Sequence, residues 1–400
     1  MSNTVKGSCD PKFAELQEEF ERNFAERGES GASVCLSVNG ETMVDLWGGV
    51  ADRETGEEWQ EDTTSIVFSC TKAAVALCAH ILIDRGELEL AAPVSKYWPE
   101  FAKNGKEHTT VQMMLNHESA IPALREPVKP GGFLDWDYMI KRMEDEQAFW
   151  EPGTRNGYHM VNFGWTVGEL VRRVSGRKLG QFFADEVAGP TGADFWIGLP
   201  DGVDPQVAPI LPYVPKPDDV PSDFTKLLMG KPDSIQALSF LNNGGWSPND
   251  TDAHRAEIGG GGGISNARGQ VAMYTPLACN DGKLVSSDRL QAMTMVSTAT
   301  QQDATLLVPT RFASGFMKSM DNRRERVGLR ESAIIGDKAF GHVGAGGHIG
   351  FADPECGLAF SYTMTQMGQG LLMNDRGQSL IDAAYRALGY RTNAPGAWVR

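Results

Sequence analysis

The stretch SIVFSCTKAAVALCAH, from Ser65 to His80, places a serine and a lysine three positions apart in an otherwise apolar segment. Residues at i and i+3 share one face of a helix, so Ser69 and Lys72 are expected to lie side by side. A helix that begins near Ser69 would favour negative charge at that hydroxyl, through its N–H groups and its dipole. Apolar neighbours would lower the pKa of the lysine amine. The stretch therefore predicts a serine nucleophile paired with a lysine base.

The spacing alone leaves a structural alternative open. A serine can cap a helix while the lysine extends its amine to solvent. The same spacing recurs from Ser175 to Lys178, where flanking charges and an internal glycine are typical of a solvated turn. The chain contains no Gly-x-Ser-x-Gly elbow, no His-Glu-x-x-His zinc motif and no Cys-x-x-Cys pair. These absences disfavour an α/β-hydrolase and the common zinc sites.

Strand patterns lie at both ends of the chain, with helical patterns between them. Near the start, two alternating runs flank Asn39-Gly40, which is a strong hairpin signal. Near the end, residues 338–365 predict two strands joined at DPECG, followed by a closing helix. The pattern predicts an α+β fold, in which one antiparallel sheet is built from both termini, with flanking helices and an inserted, mostly helical region.

The domain organisation follows from this arrangement. We expect a sheet domain from residues 1–68 and 300–400, and a mostly helical domain from residues 69–299. The active site is expected at their junction, because Ser69 lies there. Residues 214–258 have little periodicity and are rich in Pro, Asp, Asn and Gly, which indicates a lid or a cavity wall.

Composition limits the possible partners. The formal charge of −15 argues against a nucleic acid or an anionic membrane surface, since both require a basic face. No run of about 18 apolar residues predicts a membrane span. The first residues resemble no secretory leader, and the six cysteines are scattered, so we expect a cytoplasmic protein. The oligomeric state is not readable from these patterns.

Several stretches together resemble one known superfamily. Ser69-Cys70-Thr71-Lys72 resembles the serine motif of the serine β-lactamases and penicillin-binding proteins. More narrowly, the chain resembles family VIII carboxylesterases and other class C β-lactamase-like hydrolases. The matching stretches are TTVQMMLNHESAIP (109–122), WEPGTRNGYHMVNFGWTVGELVRRV (150–174) and FGHVGAGGHIGFADPE (340–355). The resemblance implies a β-lactamase/transpeptidase-like fold.

The resemblance also assigns roles to residues beyond Ser69 and Lys72. Tyr158 matches the catalytic tyrosine, which would share a proton with Lys72 and act as the general base or its partner. Many relatives carry asparagine two residues later, where this chain has Met160. Asn162 is the candidate replacement for that substrate contact.

A second matching segment lies near the end of the chain. His342-Val343-Gly344 matches a strand triplet that begins with lysine in true β-lactamases. The resemblance implies that His342 and Gly344 bind substrate and that the N–H groups of Ala345 and Ser69 form an oxyanion hole. A neutral imidazole holds a substrate carboxylate less well than an ammonium does, which favours esters over β-lactams.

The sequence therefore predicts a serine hydrolase that cleaves short-chain carboxylic esters through an acyl-enzyme, with a small-molecule substrate and without a metal or cofactor. Trp150, Trp246 and Phe240 are candidates for the wall of the acyl pocket. A β-lactamase, a D-amino-acid amidase or peptidase, and an acyltransferase remain alternatives. A catalytically silent binding protein of the same fold is the alternative outside the enzymes.

Overall fold

Both ends of the chain contribute strands to one antiparallel sheet, as predicted. The structure is a computed structural model, and it describes residues 5–400. The strands are β1 (Lys6–Cys9), β2 (Gly31–Val38), β3 (Glu41–Asp52), β4 (Glu57–Glu58), β5 (Thr64–Ile66), β6 (Phe195–Ile197), β7 (Val207–Ala208), β8 (Gly263–Ser265), β9 (Thr298–Thr300), β10 (Thr310–Ala313), β11 (Phe316–Met317), β12 (Phe340–Gly344), β13 (His348–Asp353) and β14 (Leu358–Met364). The main sheet has the order β1-β3-β2-β14-β13-β12-β11-β10-β9, with β4 beside β3.

The turns between these strands agree with the sequence in one place and differ in another. Asn39 and Gly40 join β2 to β3 with positive φ angles of 51° and 86°, as a tight hairpin requires. Residues 338–365, however, form three strands where two were predicted. The additional turn lies between β12 and β13, where Gly346 and Gly347 have φ angles of 80° and 110° that other residues rarely adopt. Apolar alternation continues on both sides of this turn and conceals it in the sequence.

Helices cover both faces of the sheet. They are α1 (Ala14–Glu26), α2 (Cys70–Asp84), α3 (Val111–Leu115), α4 (Trp136–Asp145), α5 (Asn162–Ser175), α6 (Leu179–Phe183), α7 (Gly189–Thr191), α8 (Asp223–Gly230), α9 (Ile235–Phe240), α10 (Thr251–Arg255), α11 (Ala267–Cys279), α12 (Ser287–Thr294) and α13 (Asp375–Ala387). α1 and α13 pack on one face of the sheet, and α11 packs against β2, β13 and β14 on the other. The core is therefore layered as helix, sheet and helix.

The helix that carries the Ser-x-x-Lys motif, α2, is buried along most of its length. Every residue of α2 from Cys70 to Leu82 is buried, which fits its alanine-rich and apolar sequence. α2 lies between β12 on one side and α5 on the other. This placement brings the N-terminus of α2 to the end of β12, next to the turn that joins β12 to β13.

The region inserted between the two groups of sheet strands contains more than helices. β5, β6, β7 and β8 form a second, four-stranded sheet in the order β6-β8-β5-β7. Residues 214–258 form the short helices α8, α9 and α10 joined by loops. The division into two domains at residues 68 and 300 stays a prediction. No helix within residues 5–400 is long and apolar enough to cross a bilayer.

Candidate active site

Ser69 is the residue immediately before α2 and forms its N-cap. The preceding residue, Phe68, has a φ of 45°, a left-handed conformation that is strained for an aromatic side chain. Phe68 also bridges to Gly262, which fixes the chain where it enters the helix. This bend presents Ser69 to a cavity at the N-terminal end of α2.

Lys72 is fully buried beside the serine. Its Nζ lies 2.9 Å from Ser69 Oγ and donates hydrogen bonds to the carbonyl oxygens of Met160 and Gly260. Neither carbonyl carries a charge that could balance an ammonium, and burial lowers the pKa of Lys72 well below its ordinary value. Two hydrogens of the amine are used by the carbonyls, so the remaining position of a neutral amine, its lone pair, faces Ser69.

Tyr158 completes the group. Its ring lies 4.9 Å from Lys72 Nζ, measured to the ring centroid, and the side chain is buried. Burial raises the pKa of the Tyr158 phenol, and the nearby Ser69 hydroxyl opposes this effect. The lowered lysine pKa and the raised tyrosine pKa both favour uncharged groups around Ser69. The fold therefore brings together the three side chains that the sequence singled out.

Near the end of β12, the backbone N–H groups of Ser69 and Ala345 are both without an acceptor in the described part of the chain and lie at the same cavity. Neither the N–H of Ser69 nor that of Ala345 donates a hydrogen bond to any group within residues 5–400, and both residues line the cavity. Free backbone donors are rare in protein interiors. The turn that carries Ala345 is held by Asn374, whose Nδ2 donates to the Gly346 carbonyl at 2.8 Å. Two such donors beside a hydroxyl can hold a negatively charged oxygen.

The cavity beside Ser69 has a volume of about 390 Å³ and mainly apolar walls. No Asp, Glu, Lys or Arg lines it. Its lining residues are Phe68, Ser69, Phe133, Tyr158, Met160, Val161, Ile210, Pro212, Phe240, Asn243, Trp246, Ser247, Pro248, Asn249, Ile258, Gly260, Gly261, Leu306, Met317, Ala345, Met367, Leu371 and Leu372. Trp246 and Phe240 thus lie where the sequence analysis expected a pocket wall, in the excursion of residues 214–258.

Two expected substrate contacts, Trp150 and Asn162, do not line the cavity. The indole N–H of Trp150 donates to the Arg155 carbonyl at 3.0 Å, and its ring packs against Gly157. Asn162 is buried at the start of α5, and its Nδ2 donates to the Ile121 carbonyl at 3.0 Å. Both side chains are engaged in local structure, which the sequence match could not reveal.

His342 and Gly344 support the site from behind and do not line the cavity either. The imidazole of His342 is buried, its centroid lies 5.9 Å from that of the Tyr158 ring, and burial lowers its pKa to about 3. A Cβ at Gly344 would approach the Val67 carbonyl oxygen to 2.4 Å. Glycine therefore allows β12 to lie against the segment that leads to Ser69.

The sequence analysis missed Asp303. This fully buried carboxylate accepts the backbone N–H of Tyr158, at 3.0 Å to each of its oxygens. It lies 145 residues further along the chain, in a segment without a recognisable motif. No spacing pattern could have identified it. Within residues 5–400, no group of three or more His, Cys, Asp or Glu side chains is arranged to hold a metal ion.

The chain is similar to known proteins of one family, which include esterases. A model of the family described as Beta-lactamase matches residues 16–384. The Esterase/beta-lactamase LipL of Mycobacterium tuberculosis (strain ATCC 25618 / H37Rv) is 30% identical over 391 residues, which span 93% of this chain and 85% of LipL. Esterase EstB of Burkholderia gladioli is 30% identical over 196 residues, which span 45% of this chain and 50% of EstB.

Solved structures agree with these relatives. A family VIII carboxylesterase superposes with a TM-score of 0.81 and 34% identity, over 96% of this chain and 100% of that one. A penicillin-binding protein homologue from Caulobacter crescentus superposes with a TM-score of 0.82 and 30% identity, over the same shares of the two chains. The β-lactamase/transpeptidase-like fold predicted from the sequence is confirmed. Because the family model spans nearly the whole chain, this protein belongs to the Beta-lactamase family.

Proposed function

We propose that the protein is a serine hydrolase that cleaves short-chain carboxylic esters through an acyl-enzyme. The observation that carries the proposal is a buried lysine amine without a counter-charge, 2.9 Å from a serine hydroxyl at an apolar cavity. A neutral amine in this position can accept the hydroxyl proton as the oxygen attacks a substrate carbonyl. Relatives named as esterases support the same reaction class.

Acylation uses the groups already described. Ser69 Oγ forms a bond to the ester carbonyl carbon while its proton moves to Lys72 Nζ. The N–H groups of Ser69 and Ala345 stabilise the oxygen that becomes negative. The Tyr158 phenol gives its proton to the departing alcohol and recovers one from Lys72. The C–O bond of the ester breaks, and the acyl group remains on Ser69.

Deacylation reverses the proton movements with water in place of the alcohol. Water attacks the acyl carbon and passes its proton to the Lys72 and Tyr158 pair, and the same N–H groups hold the oxyanion. The bond to Ser69 Oγ then breaks, Oγ takes a proton back, and the carboxylic acid leaves. Because the pair begins and ends each half-reaction uncharged, no further group is required.

The cavity walls favour neutral substrates. A β-lactam or a peptidoglycan stem carries a carboxylate, and no cationic side chain among the lining residues could pair with it. A cavity of about 390 Å³ lies near the lower end of the range for small-molecule sites, about 300 to 1,000 Å³. This size suits a short acyl chain together with a small alcohol.

The test compares two serines that share the same spacing to a lysine. Ser69→Ala is expected to abolish hydrolysis of nitrophenyl acetate and labelling by a fluorophosphonate, since the nucleophile is lost. Ser175→Ala is the matched control, because Ser175 ends α5 and its hydroxyl donates to the Val171 carbonyl. Retained turnover in Ser69→Ala would eliminate this nucleophile.

The alternatives within the family give different outcomes in the same assay. Faster hydrolysis of a chromogenic cephalosporin than of simple esters would identify a β-lactamase, and preference for a D-amino-acid amide would identify an amidase. Diversion of the acyl group by an added alcohol would identify a transferase. Absence of labelling at Ser69 in the unaltered protein would leave a binding protein without catalysis.

A cytoplasmic location is part of the proposal. All six cysteines are free thiols, and Cys35, Cys70 and Cys78 are fully buried. Free thiols are typical of proteins in reducing compartments, where disulfides rarely persist. Fusion of a fluorescent protein to the C-terminus and microscopy of the native host would test the location.

A further inference from the structure

Tyr158 lies in a segment without regular secondary structure, so its position depends on neighbouring groups. The segment precedes α5, and its backbone donors are bound by other parts of the chain. Gly157 N–H donates to the His117 carbonyl at 3.0 Å, and His159 N–H donates to His117 Nδ1 at 3.1 Å. Tyr158 N–H donates to the Asp303 carboxylate. Two side chains, His117 and Asp303, thus replace the partner that a strand would have had.

The Asp303 carboxylate is used entirely for backbone N–H groups. It has no solvent exposure, and the hydrogen bonds that it accepts within residues 5–400 all come from backbone N–H groups. It accepts from Thr305 and Leu306 at 2.8 Å each, in addition to Tyr158 at 3.0 Å. A buried charge of this kind is costly unless hydrogen bonds satisfy it. The bonds from Tyr158, Thr305 and Leu306 offset this cost and tie the Tyr158 segment to the loop that follows Asp303.

The two carboxylate oxygens have different partners. Oδ1 accepts from Tyr158, Thr305 and Leu306, whereas Oδ2 accepts from Tyr158 alone. The bonds of Oδ1 to Thr305 and Leu306 shape the loop that follows Asp303. Oδ2 is dedicated to the backbone of the residue that carries the phenol.

We propose that Asp303 is a positioning residue for the reaction, and that its carboxylate fixes the Tyr158 backbone so that the phenol reaches Ser69. Asp303 does not line the cavity, so it acts on the chemistry only through Tyr158. The inference rests on the proposed function, because it assigns Tyr158 a part in proton transfer. A displacement of the phenol by about 1 Å is enough to slow such a reaction about 10²-fold.

Asp303→Asn tests the role of Oδ2 with little change in shape. If the amide oxygen takes the place of Oδ1, its bonds to Tyr158, Thr305 and Leu306 can remain, but the amide NH₂ that replaces Oδ2 faces the Tyr158 N–H and removes that acceptor. The opposite orientation would set NH₂ against three N–H donors and is therefore disfavoured. We expect kcat for nitrophenyl butyrate to fall about 10- to 100-fold, with KM changed less than about twofold.

Asp353→Asn is the matched control. Asp353 is an equally buried carboxylate at the far end of β13, and it accepts hydrogen bonds from Tyr385 Oη at 2.8 Å and Glu355 N–H at 3.1 Å. Its replacement should leave kcat within about twofold of the unaltered protein, because no bond from Asp353 reaches the Tyr158 segment. An equal loss of kcat in both variants would mean that Asp303 serves general stability only.

A double-mutant cycle distinguishes positioning from a separate structural effect. In a Tyr158→Phe background the hydroxyl is absent, so Asp303→Asn should cause no further loss of kcat. A loss of equal size in both backgrounds would overturn the proposal, as would a rise in KM at constant kcat. If the asparagine variant does not fold, Asp303→Ser enters the same cycle with the same expectation.

Labelling of Ser69 by a fluorophosphonate separates this inference from the proposed function. If the unaltered protein is not labelled, the nucleophile itself is wrongly assigned. If it is labelled, and Asp303→Asn is labelled at an unchanged rate, the nucleophile stands and the role of Asp303 is refuted. A labelling rate reduced in parallel with kcat supports both.

Discussion

Replacement of Lys72 by methionine allows the effect of this amine on ester hydrolysis to be measured separately from its effect on the free energy of unfolding. Methionine has a similar length and no charge, so Lys72→Met should abolish ester hydrolysis while it removes a titrating group from the core. Burial lowers the pKa of Lys72 in the folded protein, whereas the unfolded chain keeps the ordinary value of about 10.4. Between these two values, the unfolded chain binds one proton more than the folded protein does.

The magnitude follows from this difference in bound protons. The free energy of unfolding of the unaltered protein should rise by about 1.4 kcal/mol per pH unit in that window, from this group alone. The methionine variant lacks the contribution, so its free energy of unfolding should fall progressively behind that of the unaltered protein as the pH rises. The carbonyls of Met160 and Gly260 lose their donors, at about 1 to 3 kcal/mol each, but this cost does not depend on pH.

Urea unfolding between about pH 7 and pH 10 measures the slope. Lys106→Met is the matched control, because Lys106 is also buried and donates to the carbonyls of Glu144 and Glu146, far from the cavity. Burial lowers the pKa of Lys106 to about 8, so its slope should be confined to the range above that pH, and hydrolysis should persist. For Lys72 the slope should extend from its own lowered pKa up to the unfolded value of about 10.4.

A constant difference in free energy between Lys72→Met and the unaltered protein at every pH would refute the reasoning. It would mean that Lys72 keeps its proton in the folded state and cannot accept one from Ser69. Undiminished ester hydrolysis by the methionine variant would contradict the proposed base directly.

Three further predictions concern the walls and the back of the site. Ala345→Pro removes one of the two free N–H donors and should lower kcat about 10²- to 10³-fold at similar KM, and an unchanged kcat would contradict the oxyanion hole. Phe240→Ala opens the cavity wall, so kcat/KM for esters with longer acyl chains should rise relative to acetate; a uniform change across chain lengths would count against this wall. His342→Gln should leave the acid limb of the kcat/KM profile in place, because an imidazole with a pKa of about 3 is already neutral there, and a shifted limb would assign the titration to His342.

The features that could be predicted from the sequence are those determined by residues close together in the chain. Ser69 and Lys72 were accessible because helical periodicity brings positions three apart together, and an apolar segment predicts burial. The hairpin at Asn39-Gly40 was accessible because few residues adopt positive φ angles without strain. In both places the physical cause lies within a few residues of its effect.

Other parts of the site depend on contacts that no local pattern records. Tyr158 follows no helical or strand periodicity, and only the resemblance to a family identified it. Trp150 and Asn162 were expected at the substrate, yet they form local hydrogen bonds and do not line the cavity, because the sequence does not show which way a side chain points. Asp303 was missed because the bond it makes to Tyr158 joins residues 145 positions apart.

The pairing of β2 with β14 has a consequence for the biosynthesis of the protein. β2 pairs on one edge with β3, which follows it directly, but the strand that pairs with its other edge, β14, is made about 320 residues later. At translation rates of roughly 5 to 20 residues per second, that edge of β2 waits on the order of 16 to 64 seconds without a partner. During that interval the nascent chain exposes a template for aggregation, and we expect its yield to depend on chaperones that shield this edge.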